Sequence, residues 1–353
     1  MKTDITKIDP NFSAIIEDFE NFDTYNALSA PFEIKGVYFD GEQFVRMPKE
    51  IAENVNKSVA VLYSNTSGGR IRFRTDSSKI TLSAVVPSLC DFPHMPKSGS
   101  QCFDLYSGND YCGFFPCDYK LRENGSEYYE GSATLSLKTK ELRDITVNFP
   151  LYNDVSAVYI SLEKGCTLLS PISERHELPV VYYGSSITQG GCASHAGNAY
   201  PNIISRRLKT NFINLGFSAG CFAEPIMMEY LSTLPMSVFV YDYDHNAPTY
   251  EMLAKTHEAG YKIFRKNNPT VPIIMISSAD RETDREKRIG VIRNTYEDAV
   301  KAGDQNVYFI HGDDIYAPVG KDYCTVDKCH PNDLGFFCMA EIIGKAIQKM
   351  IEI

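Results

Sequence analysis

The chain has 353 residues, with 35 Lys+Arg against 45 Asp+Glu, a net charge of -10 and 43% hydrophobic residues. That length suggests two domains, each able to bury a core, and the ordinary mix of apolar and charged residues excludes intrinsic disorder. An acidic chain without Lys/Arg runs has no charge footprint for nucleic acid, and apolar stretches such as 271–276 fall far short of the ~20 residues that span a bilayer.

The opening MKTDITKIDPNFSAIIEDFE has no apolar run behind a basic start, so a cytoplasmic location is expected. Ten cysteines are spread through both halves without a CxxC pair. They are expected to be reduced and to pack as small hydrophobes, since a disulfide framework or zinc site needs denser or tighter spacing. From about residue 31 to 162 the chain reads as β-structure. Runs rich in β-branched and aromatic residues fall at 59–64, 69–76, 79–86, 102–107, 132–138, 143–150 and 156–163. Arg70-Ile71-Arg72-Phe73-Arg74 alternates polar and apolar, the pattern of a half-buried strand. Many short strands without an intervening helical period predict an antiparallel sandwich, jelly-roll-like.

After Pro171 the grammar becomes strand–helix alternation. Strands are predicted at 178–184, 211–217, 237–244, 271–278 and 306–312, with helices near 199–209, 223–233, 249–266 and 285–302. Met339, Ile342, Ile343, Ala346, Ile347 and Met350 form a helical stripe at the C-terminus. Five apolar strands joined by helices predict a three-layer α/β domain around a mostly parallel sheet. The expected division is 1–165 for the β-domain, 166–177 for a linker and 178–353 for the α/β domain.

In open α/β sheets ligands bind beyond the carboxyl ends of the strands, so the chemistry is sought there. The first of these strands ends in Gly184-Ser185-Ser186-Ile187-Thr188-Gln189-Gly190-Gly191. This is neither the GxGxxG dinucleotide fingerprint nor the GxxxxGK[ST] phosphate loop nor the GxSxG elbow. What remains is a serine, Ser186, at a turn just past a buried strand. A serine hydroxyl needs a base and a group to orient that base. His330 falls after the fifth strand, at the same sheet edge, and Asp327 precedes it by three residues. Donors for a developing oxyanion could come from the loop 214–220, through a backbone N–H, and from the side-chain amide of Asn246 after the third strand. His245 beside it is a candidate for substrate contact or for a structural role. Cys192 and Cys329 are set aside as nucleophiles, because a reactive thiol needs a neighbouring base and a lowered pKa. Asp242 and Asp244 are set aside as a metal pair, because a hard cation needs several converging oxygens. Asp104 and Tyr106 are expected to brace the β-domain.

Taken together these blocks resemble the SGNH (GDSL-type) hydrolase superfamily over roughly 179–353. Gly184-Ser185-Ser186 is similar to its first block, Asn214 to Gly220 to its second, Asp244-His245-Asn246 to its third, and Asp327 to His330 to its fifth. The resemblance implies a flavodoxin-like α/β/α sandwich. It also implies Ser186 as nucleophile, His330 as base and Asp327 as its orienter. The oxyanion would be held by backbone N–H groups of Ser186 and of Ala219 or Gly220, with the Asn246 amide. Phe103-Asp104-Leu105-Tyr106 is similar to the GxDLY signature of a subgroup with an N-terminal β-sandwich, a layout that resembles carbohydrate O-acetyl esterases. Two departures stand out. Ala219 takes the place of a glycine in the second block, and Ser185 takes the place of Asp in the first.

The resulting expectation is a serine ester hydrolase that removes O-acetyl groups from a sugar or oligosaccharide through an acyl-enzyme, with no metal and no organic cofactor. The alternatives are a lipid or thioester acylhydrolase on the same triad and a non-catalytic glycan-binding protein. The expected partner is a small-molecule or oligosaccharide ester, with no nucleic acid and no membrane. These motifs encode neither the sugar nor an oligomeric state.

Overall fold

The computed structural model describes residues 5–9, 12, 19–122 and 125–351. It divides into two units that interleave in sequence. The first holds Met1–Arg46, Ser64–Ser173 and Ser194–Gly197; the second holds Met47–Tyr63, Glu174–Ala193 and Asn198–Ile353.

The strands of the first unit are β1 (Phe22–Asn26), β2 (Glu33–Lys35), β3 (Tyr38–Phe39), β4 (Phe44–Val45), β5 (Arg70–Thr75), β6 (Lys79–Val86), β7 (Asp104–Ser107), β8 (Asp110–Phe114), β9 (Lys120–Leu121), β10 (Tyr129–Ser136), β11 (Arg143–Asn148), β12 (Ala157–Glu163) and β13 (Leu168–Leu169). One sheet runs β1-β12-β6-β10-β9, and another runs β13-β5-β11-β7-β8 with β2 also on β5. The pairings in both are antiparallel. Strand side chains alternate faces, so Ile71 and Phe73 of β5 and Ile80, Leu82, Ala84 and Val86 of β6 each line one face. All six are fully buried in one cluster with Ile145, Val147, Val158 and Ile160, the shared core of a β-sandwich.

The opposite face of β5 is not simply solvated. Arg72 donates to the Ile172 carbonyl at 2.8 Å and to Asp144 at 3.3 Å, and Arg74 Nε donates to the Ser170 carbonyl at 2.8 Å. These arginines hold the segment after β12 against the sheet, and part of it pairs as β13. The stretch 166–177, expected as a linker, therefore begins inside the first unit.

Most of the run 59–64, expected as a strand, lies in a helix, Lys57–Leu62, and through Tyr63 it belongs to the second unit. Its β-branched composition is overridden by a local cap: the Asn56 side chain accepts the Val59 N–H at 3.0 Å. Val59 is buried whereas Val61 is exposed, which is one helical face and not an alternating strand.

In the second unit β14 (His176–Gly184), β15 (Thr210–Gly216), β16 (Val238–Asp242), β17 (Ile273–Ile276) and β18 (Val307–Ile310) form a parallel sheet in the order β15-β14-β16-β17-β18. The order reverses direction at β14, which makes the carboxyl end of β14 the switch point of a flavodoxin-like sheet. Val180 to Tyr183 and Val238 to Tyr241 are buried without alternation, as helices on both faces require. Helices Tyr200–Leu208 and Asp333–Ile351 pack on each other, while Pro225–Thr233, Tyr250–Asn267 and Arg285–Lys301 pack in a row. Among the described residues no helix is long and apolar enough to cross a membrane.

Candidate active site

Ser186 opens a one-turn helix, Ser186–Gln189, directly after β14. The Ser185 hydroxyl caps that turn by accepting the Ile187 N–H at 3.1 Å. The Ser185 position thus performs a helix-cap role that its hydroxyl can fill as well as a carboxylate could. Gly184 must be glycine here: a Cβ would lie 2.0 Å from Thr188 Oγ1 and 2.5 Å from the Asp242 carbonyl oxygen. Gly190 ends the turn in a left-handed conformation, φ 108°.

His330 sits in a loop closed by the bridge Thr325–Pro331 and by the Val326 N–H on the His330 carbonyl at 2.9 Å. The following residues anchor that loop to the last helix. Asn332 accepts the Gly335 N–H at 3.1 Å and donates to the Tyr323 carbonyl at 2.8 Å. Gly335 permits close approach, since a Cβ would lie 2.2 Å from the Cys324 carbonyl oxygen.

Within this loop Asp327 is bonded three times. Its Oδ1 accepts the backbone N–H of Cys329 at 3.1 Å and of His330 at 2.7 Å, and its Oδ2 lies 2.8 Å from His330 Nδ1. Burial pushes the Asp327 carboxyl up, but these hydrogen bonds and the His330 ring outweigh it and hold the group below the usual carboxylate range. With Nδ1 on a carboxylate, the other ring nitrogen, Nε2, lies 2.8 Å from Ser186 Oγ. Three side chains from two distant loops thus form one hydrogen-bonded line, Ser186–His330–Asp327.

The loop after β15 lies against the serine turn. Asn214 donates to the Thr188 carbonyl at 2.7 Å, the Ser218 N–H donates to Gln189 Oε1 at 3.0 Å, and the Phe217 N–H donates to the Gly184 carbonyl at 2.9 Å. The Phe217 carbonyl accepts both the Gly220 N–H at 3.0 Å and the Asn246 amide at 2.8 Å. The two backbone donors weighed for this loop therefore differ. Gly220 is buried with its N–H engaged in that turn, whereas Ala219 is exposed at φ 51° and no hydrogen bond to its N–H occurs among the described residues. The Asn246 amide has two hydrogens, one of which is oriented by Phe217.

Two arginines fix the turn that carries Asn246. Arg288 donates Nε to Asp244 Oδ1 at 2.8 Å and Nη2 to the carbonyls of Asp244 at 2.5 Å and Ala247 at 2.9 Å. Arg281 donates to the carbonyls of His245 at 2.8 Å and Pro248 at 3.2 Å. Both arginines lie beyond β17, a strand end whose residues the sequence reading did not use. The His245 ring is engaged by Asp280 and Ser278: its Nε2 lies 2.6 Å from Asp280 Oδ1 and 3.1 Å from Ser278 Oγ. Burial disfavours its protonated form, but Asp280 outweighs that and raises the His245 pKa above the usual value.

The remaining candidates have structural partners. Asp244 is taken by Arg288 and by the Ser278 N–H at 2.8 Å, and Asp242 lies 3.2 Å from the Tyr200 hydroxyl and 3.4 Å from that of Thr188. Burial pushes the Asp242 carboxyl up to about 7. Burial likewise pushes the Cys192 thiol up to about 12 and the Cys329 thiol up to about 11, so both stay protonated at neutral pH. All ten cysteines are free. In the first unit, fully buried Asp104 lies 2.7 Å from His195 Nδ1 and accepts the Gly197 N–H at 2.6 Å and the Asn148 amide at 2.6 Å. Tyr106 covers Gly197, where a Cβ would lie 2.3 Å from its ring. The Asp-Leu-Tyr residues therefore hold the segment Ser194–Gly197 in the sandwich unit.

Comparison with known proteins defines an esterase class. Residues 177–348 match the GDSL-like Lipase/Acylhydrolase family, and residues 22–168 match the GxDLY family, the N-terminus of Esterase_SGNH_hydro-type. The chain is an ester hydrolase of this kind. Among solved structures it is similar to a candidate GDSL-like lipase from Bacteroides ovatus ATCC 8483, with 27% identity and a TM-score of 0.81 over 94% of this chain and 98% of that one. It shares its fold with the salicylyl-acyltransferase SsfX3 of a tetracycline biosynthetic pathway, at 20% identity and a TM-score of 0.74 over 94% and 98% of the two chains. It also shares it with a family two carbohydrate esterase from Cellvibrio japonicus, at 10% identity and a TM-score of 0.60 over 94% and 98%. No curated protein matches it by sequence.

Proposed function

We propose that the protein removes small acyl groups, acetyl first among them, from hydroxyls of a sugar or oligosaccharide, using Ser186, His330 and Asp327. The observation that carries this reading is the hydrogen-bonded line from Ser186 Oγ through both ring nitrogens of His330 to Asp327, 2.8 Å at each link. Asp327 holds Nδ1 protonated, so Nε2 is the lone-pair nitrogen facing the serine. His330 takes the Ser186 proton as Oγ attacks the ester carbonyl. The tetrahedral oxyanion is received by backbone N–H groups of Ser186 and Ala219 and by the second hydrogen of the Asn246 amide. Gly220 is the weaker candidate, because its N–H already serves Phe217. The alcohol leaves with the proton from His330, and water activated by the same imidazole hydrolyses the acyl-enzyme.

The sugar assignment draws on the carbohydrate esterase named among the structures of the same fold and on the paired sandwich unit. The test is acetate release from a panel of acetylated oligosaccharides, with a short-chain and a long-chain aryl ester as controls. Wild type is expected to release acetate, and Ser186→Ala is expected to lose on the order of 10⁶ in kcat. Preference for the long-chain ester overturns the acetyl-sugar assignment, and turnover by Ser186→Ala overturns the nucleophile.

A further inference from the structure

Ser186 sits on a single helical turn, and one turn fixes several backbone dihedrals for few hydrogen bonds, so it depends on tertiary anchors. One anchor lies in the last row of the parallel sheet. Gly216 of β15, Gly184 of β14 and Asp242 of β16 are register partners across three adjacent strands. Thr188, two residues after Ser186, is seated on that row. A Cβ at Gly184 would lie 2.0 Å from Thr188 Oγ1, and one at Gly216 would lie 2.8 Å from Thr188 Cβ. Two positions of the row are thus bare and admit the threonine, and the third carries a carboxyl that meets its hydroxyl.

Thr188 Oγ1 donates to Asp242 Oδ2 at 3.4 Å, and the Tyr200 hydroxyl, from the start of helix Tyr200–Leu208, lies 3.2 Å from both of those oxygens. Thr188 and Tyr200 are fully buried, and Asp242 is buried beside them. A carboxyl oxygen has two lone pairs, so Oδ2 can accept from both hydroxyls at once. Placing a carboxyl in the interior costs free energy that an apolar side chain would not, so its presence under the nucleophile turn calls for a role.

We propose that Asp242 is a positioning residue for the nucleophile: with Tyr200 it holds the Thr188 hydroxyl and so fixes the direction in which the Ser186 turn presents Oγ to His330. Strand β16 ends at Asp242 and leads directly into the turn Asp244–Asn246. One strand end therefore sets both the nucleophile and the Asn246 amide. This inference deepens the serine-esterase reading and rests on Ser186 as its nucleophile.

The test uses the full-length protein and two readouts. One is steady-state cleavage of a short-chain aryl acetate, and the other is the rate at which a fluorophosphonate labels Ser186, which needs an activated serine and no sugar. Asp242→Ala is expected to lower kcat and the labelling rate roughly 10- to 100-fold with KM within about twofold, the signature of a misdirected reacting group. Asp242→Asn, whose amide oxygen still accepts from both hydroxyls, is expected to recover most of the rate. Thr188→Val keeps the shape of the side chain, removes the held hydroxyl and is expected to repeat the loss, and it carries the test if Asp242→Ala does not fold. The double variant Asp242→Ala/Thr188→Val should be no slower than the slower single one. Folded single variants labelled at the wild-type rate, losses that multiply in the double variant, or Asp242→Asn as slow as Asp242→Ala would each overturn the proposal. Wild type that is not labelled at Ser186 removes the nucleophile reading itself, whereas labelled wild type beside unchanged variants sinks this inference alone.

Discussion

Replacing Arg288 by Met probes how the turn carrying Asn246 is held. The guanidinium is 2% exposed and contacts a carboxylate that is 1% exposed. Its removal strands Asp244 with only the Ser278 N–H and leaves the carbonyls of Asp244 and Ala247 without this donor. Breaking one partner of a buried pair costs about 3–5 kcal/mol. For a unit of this size each kcal/mol is worth roughly 2–4 °C in Tm, so thermal unfolding should fall by about 6–20 °C. Removing the charge at both ends, with Asp244→Asn added to Arg288→Met, should recover part of that loss, because no buried charge is then left alone. On activity, Asn246→Ala should cost on the order of 100-fold in kcat as a lost oxyanion donor. If Arg288 works by positioning Asn246, the Arg288→Met/Asn246→Ala double variant should be no slower than Asn246→Ala alone, measured on a short-chain aryl acetate at a temperature where both are folded. A Tm change under about 2 °C, or rate losses that simply multiply, would refute the argument.

Two further outcomes follow from the same physics. His257 is fully buried, and burial lowers its pKa to about 3, so the folded protein binds this proton less readily than the unfolded chain. Its contribution is complete above the unfolded value of about 6.5 and is lost as pH falls towards 3, at a slope approaching ~1.4 kcal/mol per pH unit. His257→Phe, which keeps a ring against Tyr241 and Tyr243, should flatten the fall of Tm between pH 6.5 and 4 relative to wild type; parallel curves contradict the assignment. Ala219→Gly relieves a left-handed alanine worth about 1–2 kcal/mol and adds back roughly 0.5–1 kcal/mol of chain entropy, so melting should rise slightly or stay level. Because the backbone N–H is retained, kcat should stay within about twofold; a tenfold loss would show that the alanine methyl or the rigidity it gives the loop, and not the N–H alone, matters at this position.

The fold and the candidate site residues were legible in the sequence because each rests on a local signal. The uninterrupted apolar runs around Val180 and Val238 announce strands covered on both faces, and the alternation from Arg70 to Arg74 announces a strand covered on one. Strand ends then pointed to Ser186, Asn246 and the Asp327–His330 turn, since a parallel sheet collects its loops at one edge. Other features became visible only in three dimensions. The run 59–64 has strand composition, yet Asn56 caps it as a helix and also ties the Gly220 carbonyl at 2.9 Å, a contact 164 positions away. Arg281 and Arg288 carry no motif in the sequence, and their contacts with the carbonyls of residues 244–248 depend on how β16 and β17 lie side by side. Choosing between Ala219 and Gly220 required knowing which N–H the Phe217 carbonyl had already taken. Periodicity and spacing report on neighbours along the chain. Hydrogen-bond partners, buried charges and cavities are set by residues that meet only after folding, and tertiary structure alone decided them.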